Sequence, residues 1–428
     1  MSAGLAFARR ARREAAEAVN RTATRPPRVV SIVAGQDDES PSAANVTITA
    51  DTTNTIFGRA HKVTASGAVT GQLILNPYPE SPVAFPPTAA IGLSVYVPDP
   101  TKITSISAGI GVEPIGYQWL RSVVQADLVT GWNHVRWAAS AGMADLTEWL
   151  NLYRLRILVV TSEAAEVTIG HMWAECPEKA QVLVVSDSGY KTFLDTAWPD
   201  LQVRGIPVTW SLDPAILGAN AGTKAERMSE ADVAMVAATG DSIGLHGWDG
   251  AVNSTMTAAQ IRADTTKALK WLQQRGYTGG VWRSAWVQNN APEHAAAQPL
   301  VLAYATPSGA ASVSVWPPTD RWNISRVSLH GSSDAALAGY FTTLQRARQL
   351  LVIYTHGIHT DGGGDSTPAQ WANFLTHLDA GLAGGWLEGV TFEQLLARSG
   401  FNFRQGFDGV YQSDSVDASL DRVAKRLP

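Results

Sequence analysis

Four residues suited to acid–base or metal chemistry follow apolar runs in the second half of the chain. Asp187 ends "VLVVSD", His246 follows "SIGL", Arg283 follows "GGVW" and His356 follows "LLVIYT". Taken singly, each has an ordinary structural explanation, such as a carboxylate that caps the next helix. If the runs are parallel strands, their carboxyl ends meet at one edge and bring the four side chains together. The sequence therefore predicts a functional site, working or ancestral, at that edge.

The elements that must position these residues run from residue 181 to residue 398. Apolar runs alternate there with segments of helical period: "VLVVSD" precedes "YKTFLDTAWPDLQVRG", and "SIGLHGW" precedes "TAAQIRADTTKALKWLQQRG". Repeated βα units indicate a parallel sheet, and about seven of them predict a distorted (β/α) barrel. Such barrels carry their functional residues on the loops that leave the carboxyl ends of the strands.

Residues 46–176 have a different pattern, typical of an antiparallel fold. Short runs rich in Val, Ile, Thr and Tyr, such as "NVTITA" and "AIGLSVYVP", are separated by Pro, Gly, Asn and Asp. This pattern predicts a β-sandwich of the jelly-roll kind. The phrase "GWNHVRW" fits one strand that alternates between the two faces of a sheet. Its Trp132 and Trp137 are either part of a core layer or a face on which sugar rings stack.

The remaining segments are assigned by composition. Residues 1–28 hold seven arginines among many alanines and predict a basic helical arm, and the polar stretch "GQDDESPSAAN" predicts a linker over residues 29–45. Residues 399–428 show no strong period and predict a tail. The chain of 428 residues has a formal charge of -5, which gives no reason to expect nucleic acid as a partner. A single cysteine, Cys176, excludes an intrachain disulfide.

No segment has the roughly 20 apolar residues that a membrane-spanning helix needs, so we expect no membrane span. The basic start of the chain is not followed by the apolar region of a secretory signal, and we expect no signal peptide there.

The order of the strand-end motifs resembles the polysaccharide deacetylases of the NodB-homology type, carbohydrate esterase family four. Over residues 181–398, "VSDSG" stands where that family has T-F-D-D-G, and "GDSIGLHGWDG" stands where it has its histidine block. "RSAWV" from Arg283 corresponds in position to the family's R-P-P-Y-G, and "YTH" ending at His356 corresponds to its L-x-H. "GVTFEQLL" corresponds to the family's closing phrase before the last helix.

The resemblance implies a barrel that removes acetyl groups from N-acetylated sugars with the help of a metal ion. By position, Asp187 would be the base, His246 a metal ligand, Arg283 the residue that orients the base, and His356 the acid. Two of the three expected metal ligands are missing. Ser188 replaces an aspartate, and the second histidine is replaced by glycine at Gly250.

This loss decides the expected cofactor. A catalytic zinc site needs about three protein ligands, and one histidine does not hold the ion tightly. We therefore expect no bound cofactor. The alternative is a zinc ion held by an altered set of ligands that includes Asp249, which adjoins the missing histidine.

The sequence-based hypothesis is a degenerate deacetylase-like barrel that recognises host cell-surface glycan. Tryptophans near the predicted rim would stack on sugar rings: Trp210, Trp248, Trp282 and Trp286. The basic arm, jelly roll and barrel together resemble a minor tail protein of a phage, located in the virion at the tail tip or baseplate. Residues 1–28 and the C-terminal tail would then contact other tail or virion proteins. The alternative is an active polysaccharide or peptidoglycan N-deacetylase, located in the cytoplasm or outside the cell.

Overall fold

The fold was taken from a computed structural model, which describes part of the chain. The described residues are 28–33, 42–54, 60–75, 90–111, 119–138, 154–250, 256–277, 279–284, 303–306, 313–314, 324–360, 365–392 and 394–395. They divide into two compact units, one of them spanning Pro27–Glu178 and the other beginning at Lys179. The predicted arm, residues 1–28, lies outside the described residues up to residue 27, and the predicted tail, 399–428, lies outside them entirely.

The first unit is a pair of antiparallel sheets. One sheet has the strand order β3-β4-β11-β6-β9, with β1 also paired to β11, and the other has the order β2-β5-β10-β7-β8. The strands are β1 Arg28–Val33, β2 Ser42–Ala44, β3 Thr47–Asp51, β4 Ala60–Ala65, β5 Thr70–Leu75, β6 Ala90–Val97, β7 Ile103–Gly111, β8 Trp119–Val124, β9 Gly131–Ala138, β10 Arg154–Thr161 and β11 Ala165–Cys176.

Period-two alternation decides which side chains reach the core between these sheets. On β6, Leu93 and Val95 are fully buried in a cluster that also holds Ile106 of β7 and Ile157 of β10, on the other sheet. Residues between them on the same strand point to the opposite side. In "GWNHVRW", Trp137 packs against this core, and Trp132 is on the outer side of the same strand.

The predicted linker over residues 29–45 needs correction. Most of its first third is β1, which pairs antiparallel with β11 from Arg28 opposite Cys176, and its end contains β2, which pairs with β5. The apolar run "VVSIV" thus forms a strand that pairs with the second half of β11, beyond the part of β11 that pairs with β4.

The second unit contains a parallel sheet with the order β17-β16-β15-β14-β13-β12-β19-β18. Its end strands β17 and β18 are separated in the chain by Arg326 alone, and β20 pairs with the start of β12. The strands are β12 Ala180–Asp187, β13 Val208–Leu212, β14 Ser242–Leu245, β15 Gly279–Ser284, β16 Ala303–Thr306, β17 Ile324–Ser325, β18 Val327–Ser328, β19 Leu350–Thr355 and β20 Leu387–Gly389.

Helices connect these strands, as the alternating pattern predicts. They are α1 Trp198–Gln202, which continues a π-helical turn Phe193–Ala197, α2 Glu230–Thr239, α3 Ala258–Arg275, α4 Asp334–Ala347 and α5 Pro368–Ala383. Three of them begin with a capping box, in which a Ser or Thr and the side chain three residues later each accept a backbone N–H. The pairs are Ser229 with Asp232, Thr257 with Gln260, and Thr367 with Gln370. None of the described helices is long and apolar enough to cross a membrane.

The parallel sheet has two differently covered faces. Val182, Val208 and Leu351 belong to a large core that includes residues of helices α3, α4 and α5, and we call this side the helix-covered face. Leu183, Val185 and Val352 pack instead with Val390 and Phe392, on the opposite face. Because alternate residues point to opposite sides, the phase of each strand decides which face its last side chain reaches.

Candidate binding site at the carboxyl ends of the parallel strands

The strand ends bring charged residues to one edge of the sheet, on the face opposite the helices. Asp187 ends β12 in phase with Leu183 and Val185, and His356 follows β19 in phase with Val352. Asp213 and His246 come directly after β13 and β14, and the His246 amide donates to the Leu212 carbonyl at 3.0 Å. The shared edge predicted from the sequence is therefore present in the structure, with Asp213 as an unpredicted member.

Asp187 forms a buried ion pair with Arg326. Arg326 Nη1 donates to Asp187 Oδ2 at 2.5 Å, and the two side chains are 3% and 1% exposed. The Arg326 guanidinium also lies 4.0 Å from the centroid of the Tyr354 ring, a cation–π contact. The charge-assisted bond and the cation–π contact together hold the orientation of the Asp187 and Arg326 side chains.

Asp213, His246 and Ser188 form a second buried group. His246 Nδ1 lies 3.1 Å from both Asp213 carboxylate oxygens and 3.2 Å from Ser188 Oγ. Burial alone would raise the pKa of Asp213, but the charge of His246 and the hydrogen bonds from His246 and Ser188 outweigh burial and lower that pKa. The carboxylate of Asp213 is therefore ionised at neutral pH.

This group is not arranged as a nucleophilic triad. In a triad, the histidine takes the serine proton at one ring nitrogen while the carboxylate holds the other nitrogen. Here Ser188 and Asp213 both face Nδ1 of His246, and Ser188 also bonds to the Asp213 carboxylate. Ser188 is consequently a hydrogen-bonding group in this cluster.

The backbone at Ser188 is unusual for a residue with a side chain. Its φ is 60°, in the left-handed region that glycine favours, and Gly189 has the same φ. A Cβ on Gly189 would come within 2.6 Å of Leu212 Cδ2, so only glycine fits there. Arg227 Nη1 donates to the Ser188 carbonyl at 3.0 Å and holds the turn.

The residues present do not fit the metal ion that the family resemblance implies. Asp213 occupies the space beside Gly250, where a Cβ would lie 3.8 Å from Asp213 Oδ2, and its carboxylate already binds His246 Nδ1. Asp249, the proposed substitute ligand, is exposed. Across the residues that the structure describes, no group of three or more His, Cys, Asp or Glu is placed to hold a metal ion.

His356 is more accessible than Asp187 and His246, with 31% of its side chain exposed. Its ring meets Tyr190 edge-on at 5.5 Å and Tyr354 at 6.4 Å, and its Nδ1 is 3.9 Å from Asp365 Oδ1. Burial lowers the pKa of His356, and the charges of His246 and Arg326 lower it further against the opposing carboxylates. The imidazole is therefore neutral at pH 7, so it both donates and accepts hydrogen bonds.

The four predicted tryptophans differ in position. Trp210 is 0% exposed, packs edge-on against Phe193 and donates from Nε1 to Asp241, so its prediction as a sugar-stacking residue is wrong. Trp248 is half-buried in the loop after β14, where its backbone N–H donates to Asp264 Oδ1 at 3.0 Å. The side chain of Trp282 and the whole of Trp286 lie outside the described residues.

Two residues of the site were not predicted. Asp213 follows the apolar run "VTWSL" and carries the same strand-end signal as Asp187. Arg326 lies between two strands of two residues each, where no apolar run marks it. The structure gives Arg326 the contact with Asp187 that was predicted for Arg283. Arg283 is paired with Leu245 and Tyr304 in the sheet, but its side chain lies outside the described residues.

Comparison with known proteins assigns no family. No family profile matches the sequence, and no curated protein sequence matches it. The family 4 carbohydrate esterase from Streptomyces lividans, solved in complex with acetate, is 13% identical, with a TM-score of 0.33 over 50% of this chain and 93% of that one. The family 11 carbohydrate-binding module from Clostridium thermocellum, in complex with a mixed-linked tetrasaccharide, is 9% identical, with a TM-score of 0.26 over 35% of this chain and 95% of that one.

A third structure is the glycoside hydrolase domain of Endo-D from Streptococcus pneumoniae, which is 8% identical, with a TM-score of 0.26. The match covers 34% of this chain and only 23% of that one. The structural neighbours thus include a carbohydrate esterase of family 4 and a carbohydrate-binding module, and at these TM-scores they identify neither a family nor an activity for this chain.

Proposed function

We propose that the site at the carboxyl ends of β12, β13, β14 and β19 recognises host cell-surface glycan without hydrolysing it, and that the chain is a virion protein of a phage tail. The parallel sheet in this proposal is a distorted barrel of the deacetylase type whose metal site has been lost. The observation that carries it is the Asp213–His246–Ser188 cluster, because its groups bind one another where a metal would have to bind.

The partners of the two buried carboxylates in the site favour binding over catalysis. Asp187 is paired with Arg326, and Asp213 is paired with His246. A carboxylate that is 1% exposed and bonded to a guanidinium is a weak base for a water molecule. A lowered pKa at His356 also leaves little of the protonated form that a general acid must supply at neutral pH.

The accessible part of the site suits a sugar. Tyr190 and His356 are half-buried and their rings meet edge-on at 5.5 Å, and Trp248 is half-buried in the loop after β14. Arg227, which lies 3.5 Å over the Tyr190 ring, adds a fixed donor at the same rim. Ligand sites combine apolar surface with a few placed polar groups, as this rim does.

The virion part of the proposal is supported by the order of segments in the sequence. An arginine-rich arm precedes a β-sandwich and a parallel-sheet unit, an order that resembles minor tail proteins. Residues 1–28 and 399–428 would contact other virion proteins in this proposal. Deletion of residues 1–28 is expected to abolish incorporation into purified particles, as measured by mass spectrometry, and normal incorporation would overturn this part.

The glycan proposal is tested on the full chain. We expect binding to cell-wall fragments of the host in calorimetry to survive EDTA, and to weaken about tenfold in Trp248→Ala. The matched control is Trp386→Ala, because Trp386 is also half-buried but its carbonyl accepts from the Ala180 amide at the amino end of β12. Absence of binding to every wall fraction, or equal losses in the two variants, would contradict the proposal.

An N-deacetylase is the second candidate, favoured by the charge of Asp187 acting on His356 across the site. It predicts acetate release from an N-acetylglucosamine oligomer, loss of release in Asp187→Asn, and a stoichiometric metal ion in elemental analysis. Those three results together would replace recognition by catalysis.

A further inference from the structure

The outer face of the first unit carries an aromatic cluster that the site above does not use. Cross-strand pairs set its layout, since Tyr96 of β6 is opposite Trp132 of β9 and Ser94 is opposite His134. Directly paired residues point to the same side of a sheet. The intervening residues Leu93 and Val95 are in the core, so this side faces away from the core.

The rings of this cluster are held in place. Trp132 meets Tyr96 edge-on at 5.7 Å between centroids and stacks on His134 at 6.3 Å with an interplanar angle of 9°. Ser94 Oγ lies 2.8 Å from His134 Nδ1 and fixes the imidazole. Tyr96 and Trp132 are half-buried and His134 is exposed, so the ring surfaces are preorganised and accessible.

The indole of Trp173 lies further along the same face, apart from the cluster of Tyr96, Trp132 and His134. Gly92 is paired with Trp173 of β11, and a Cβ on Gly92 would lie 2.1 Å from the Trp173 indole. The indole therefore lies against the backbone of β6 because that position has no side chain. From Tyr96 to Gly92 the strand advances about 13 Å, which is the length of several sugar rings.

We infer that this face, formed by Tyr96, Trp132, His134 and Trp173, binds a single oligosaccharide chain. Pyranose rings have an apolar C–H face that packs on indole and phenol rings, and hydroxyl groups that bond to the imidazole and to Arg136, which is paired with Gly92. The flat rings of this face are separated along β6 by polar groups, a layout that matches the alternating apolar faces and hydroxyl groups of an extended, uncharged sugar chain.

The test is calorimetry of the full chain with four soluble probes: the hexamers of β-1,4-glucose, β-1,4-mannose and N-acetylglucosamine, and a mixed-linked β-glucan. We expect at least one probe to bind, and Trp132→Ala and Tyr96→Ala each to weaken it about tenfold. The matched control is Trp137→Phe, which alters an indole of the same strand on the core side and should bind within about twofold of the unchanged protein.

The outcomes separate this site from the one at the strand ends. Loss of binding in Trp132→Ala with retention in Trp248→Ala supports the aromatic face whatever the fate of the first proposal. Loss only in Trp248→Ala, no binding of any of the four probes, or equal losses in Trp132→Ala and Trp137→Phe would overturn it. Circular dichroism spectra that match the unchanged protein show that each variant is folded.

Discussion

Two buried carboxylates, Asp51 of the β-sandwich and Asp187 of the parallel-sheet unit, are stabilised in different ways. Asp51 of the β-sandwich is 4% exposed and is satisfied by neutral donors: the Thr53 and Asn54 amides at 2.8 and 3.0 Å, the Asn54 side-chain amide at 3.3 Å and the Thr168 hydroxyl at 2.7 Å. Asp187 in the parallel-sheet unit is held by the cation Arg326. Hydrogen bonds from the chain itself are enough to anchor a carboxylate that ends a strand.

Asp51 and Asp187 show two ways of stabilising a buried carboxylate. Although burial opposes it, the hydrogen bonds lower the pKa of Asp51 to about 2, so a charge can be stabilised without a counter-ion. An ion pair leaves both charged groups dependent on each other and costs more to bring out of water. The Asp187–Arg326 pair is therefore more costly to bury than Asp51, whose hydrogen bonds tie a turn to Thr168 of β11.

The largest expected effect comes from removing the cation. Arg326→Ala leaves Asp187 buried and uncompensated, and we expect a loss of about 3–5 kcal/mol in the free energy of unfolding of the parallel-sheet unit. Hydrogen exchange of peptides from that unit, measured across urea concentrations, reports this quantity for one unit at a time. The double variant Arg326→Met with Asp187→Leu should recover most of the loss.

The control for this prediction is Arg227→Ala. Arg227 is half-buried and contacts the Tyr190 ring and the Ser188 carbonyl, so its removal should cost only about 1 kcal/mol. Equal losses for the two arginines, or no recovery in the double variant, would show that Arg326 acts through packing instead of charge.

A smaller effect is expected at Asp51, and it depends on pH. Because the pKa of Asp51 is lowered in the folded state, the stability it contributes is present above its ordinary value of 3.8 and is lost as pH falls toward about 2. Asp51→Asn should remove about 1–2 kcal/mol of this acid-dependent loss, after allowance for screening by solvent. The measurement is the slope of the free energy of unfolding of the sandwich unit against pH, between pH 5 and pH 2.

Asp127→Asn is the control, because Asp127 is exposed in the same unit. A slope that is as steep in Asp51→Asn as in the unchanged protein would mean that other carboxylates cause the acid sensitivity.

The site could be predicted from the sequence only where a residue's position does not depend on the phase of its strand. Asp187, His246 and His356 were identified because parallel strands end at one edge, whatever their phase. The position of Trp210 required the phase itself, and in β13 both faces are buried, so apolar residues occur on both and the pattern does not show which side is which. Trp210 is in phase with Val208 and Leu212 on the helix-covered face.

The missed residues have two different physical causes. Asp213 had the same signal as Asp187, but Pro214 follows it, and a strand end before a proline is typical of an ordinary turn. Arg326 is far from Asp187 in the chain, and the strands around it have only two residues each. Nothing local in the sequence records a contact between residues 139 positions apart.

His356 is expected to contribute to the acid sensitivity of the parallel-sheet unit, because burial lowers its pKa in the folded state. Because the folded state binds this proton less tightly, stability is highest above the ordinary pKa of about 6.5 and falls as pH decreases through the lowered value. His356→Gln should reduce the loss of stability between pH 7.5 and pH 5 by about 1 kcal/mol or less. His377→Gln, on α5 and paired with Asp334, is the control, and an unchanged slope in His356→Gln would exclude its titration as the cause.

The smallest effect on the free energy of unfolding is expected for a surface ion pair of the sandwich unit, which can be compared with the buried Asp187–Arg326 pair. Lys62 Nζ lies 3.3 Å from Glu166 Oε2, but the two side chains are 35% and 51% exposed. Water and salt screen such a pair, so Glu166→Gln should change the free energy of unfolding of the sandwich unit by less than about 0.5 kcal/mol. The expected energies of the buried and the exposed ion pair therefore differ about tenfold. A loss above about 2 kcal/mol for Glu166→Gln in 0.5 M NaCl would show that burial does not decide the strength of ion pairs in this protein.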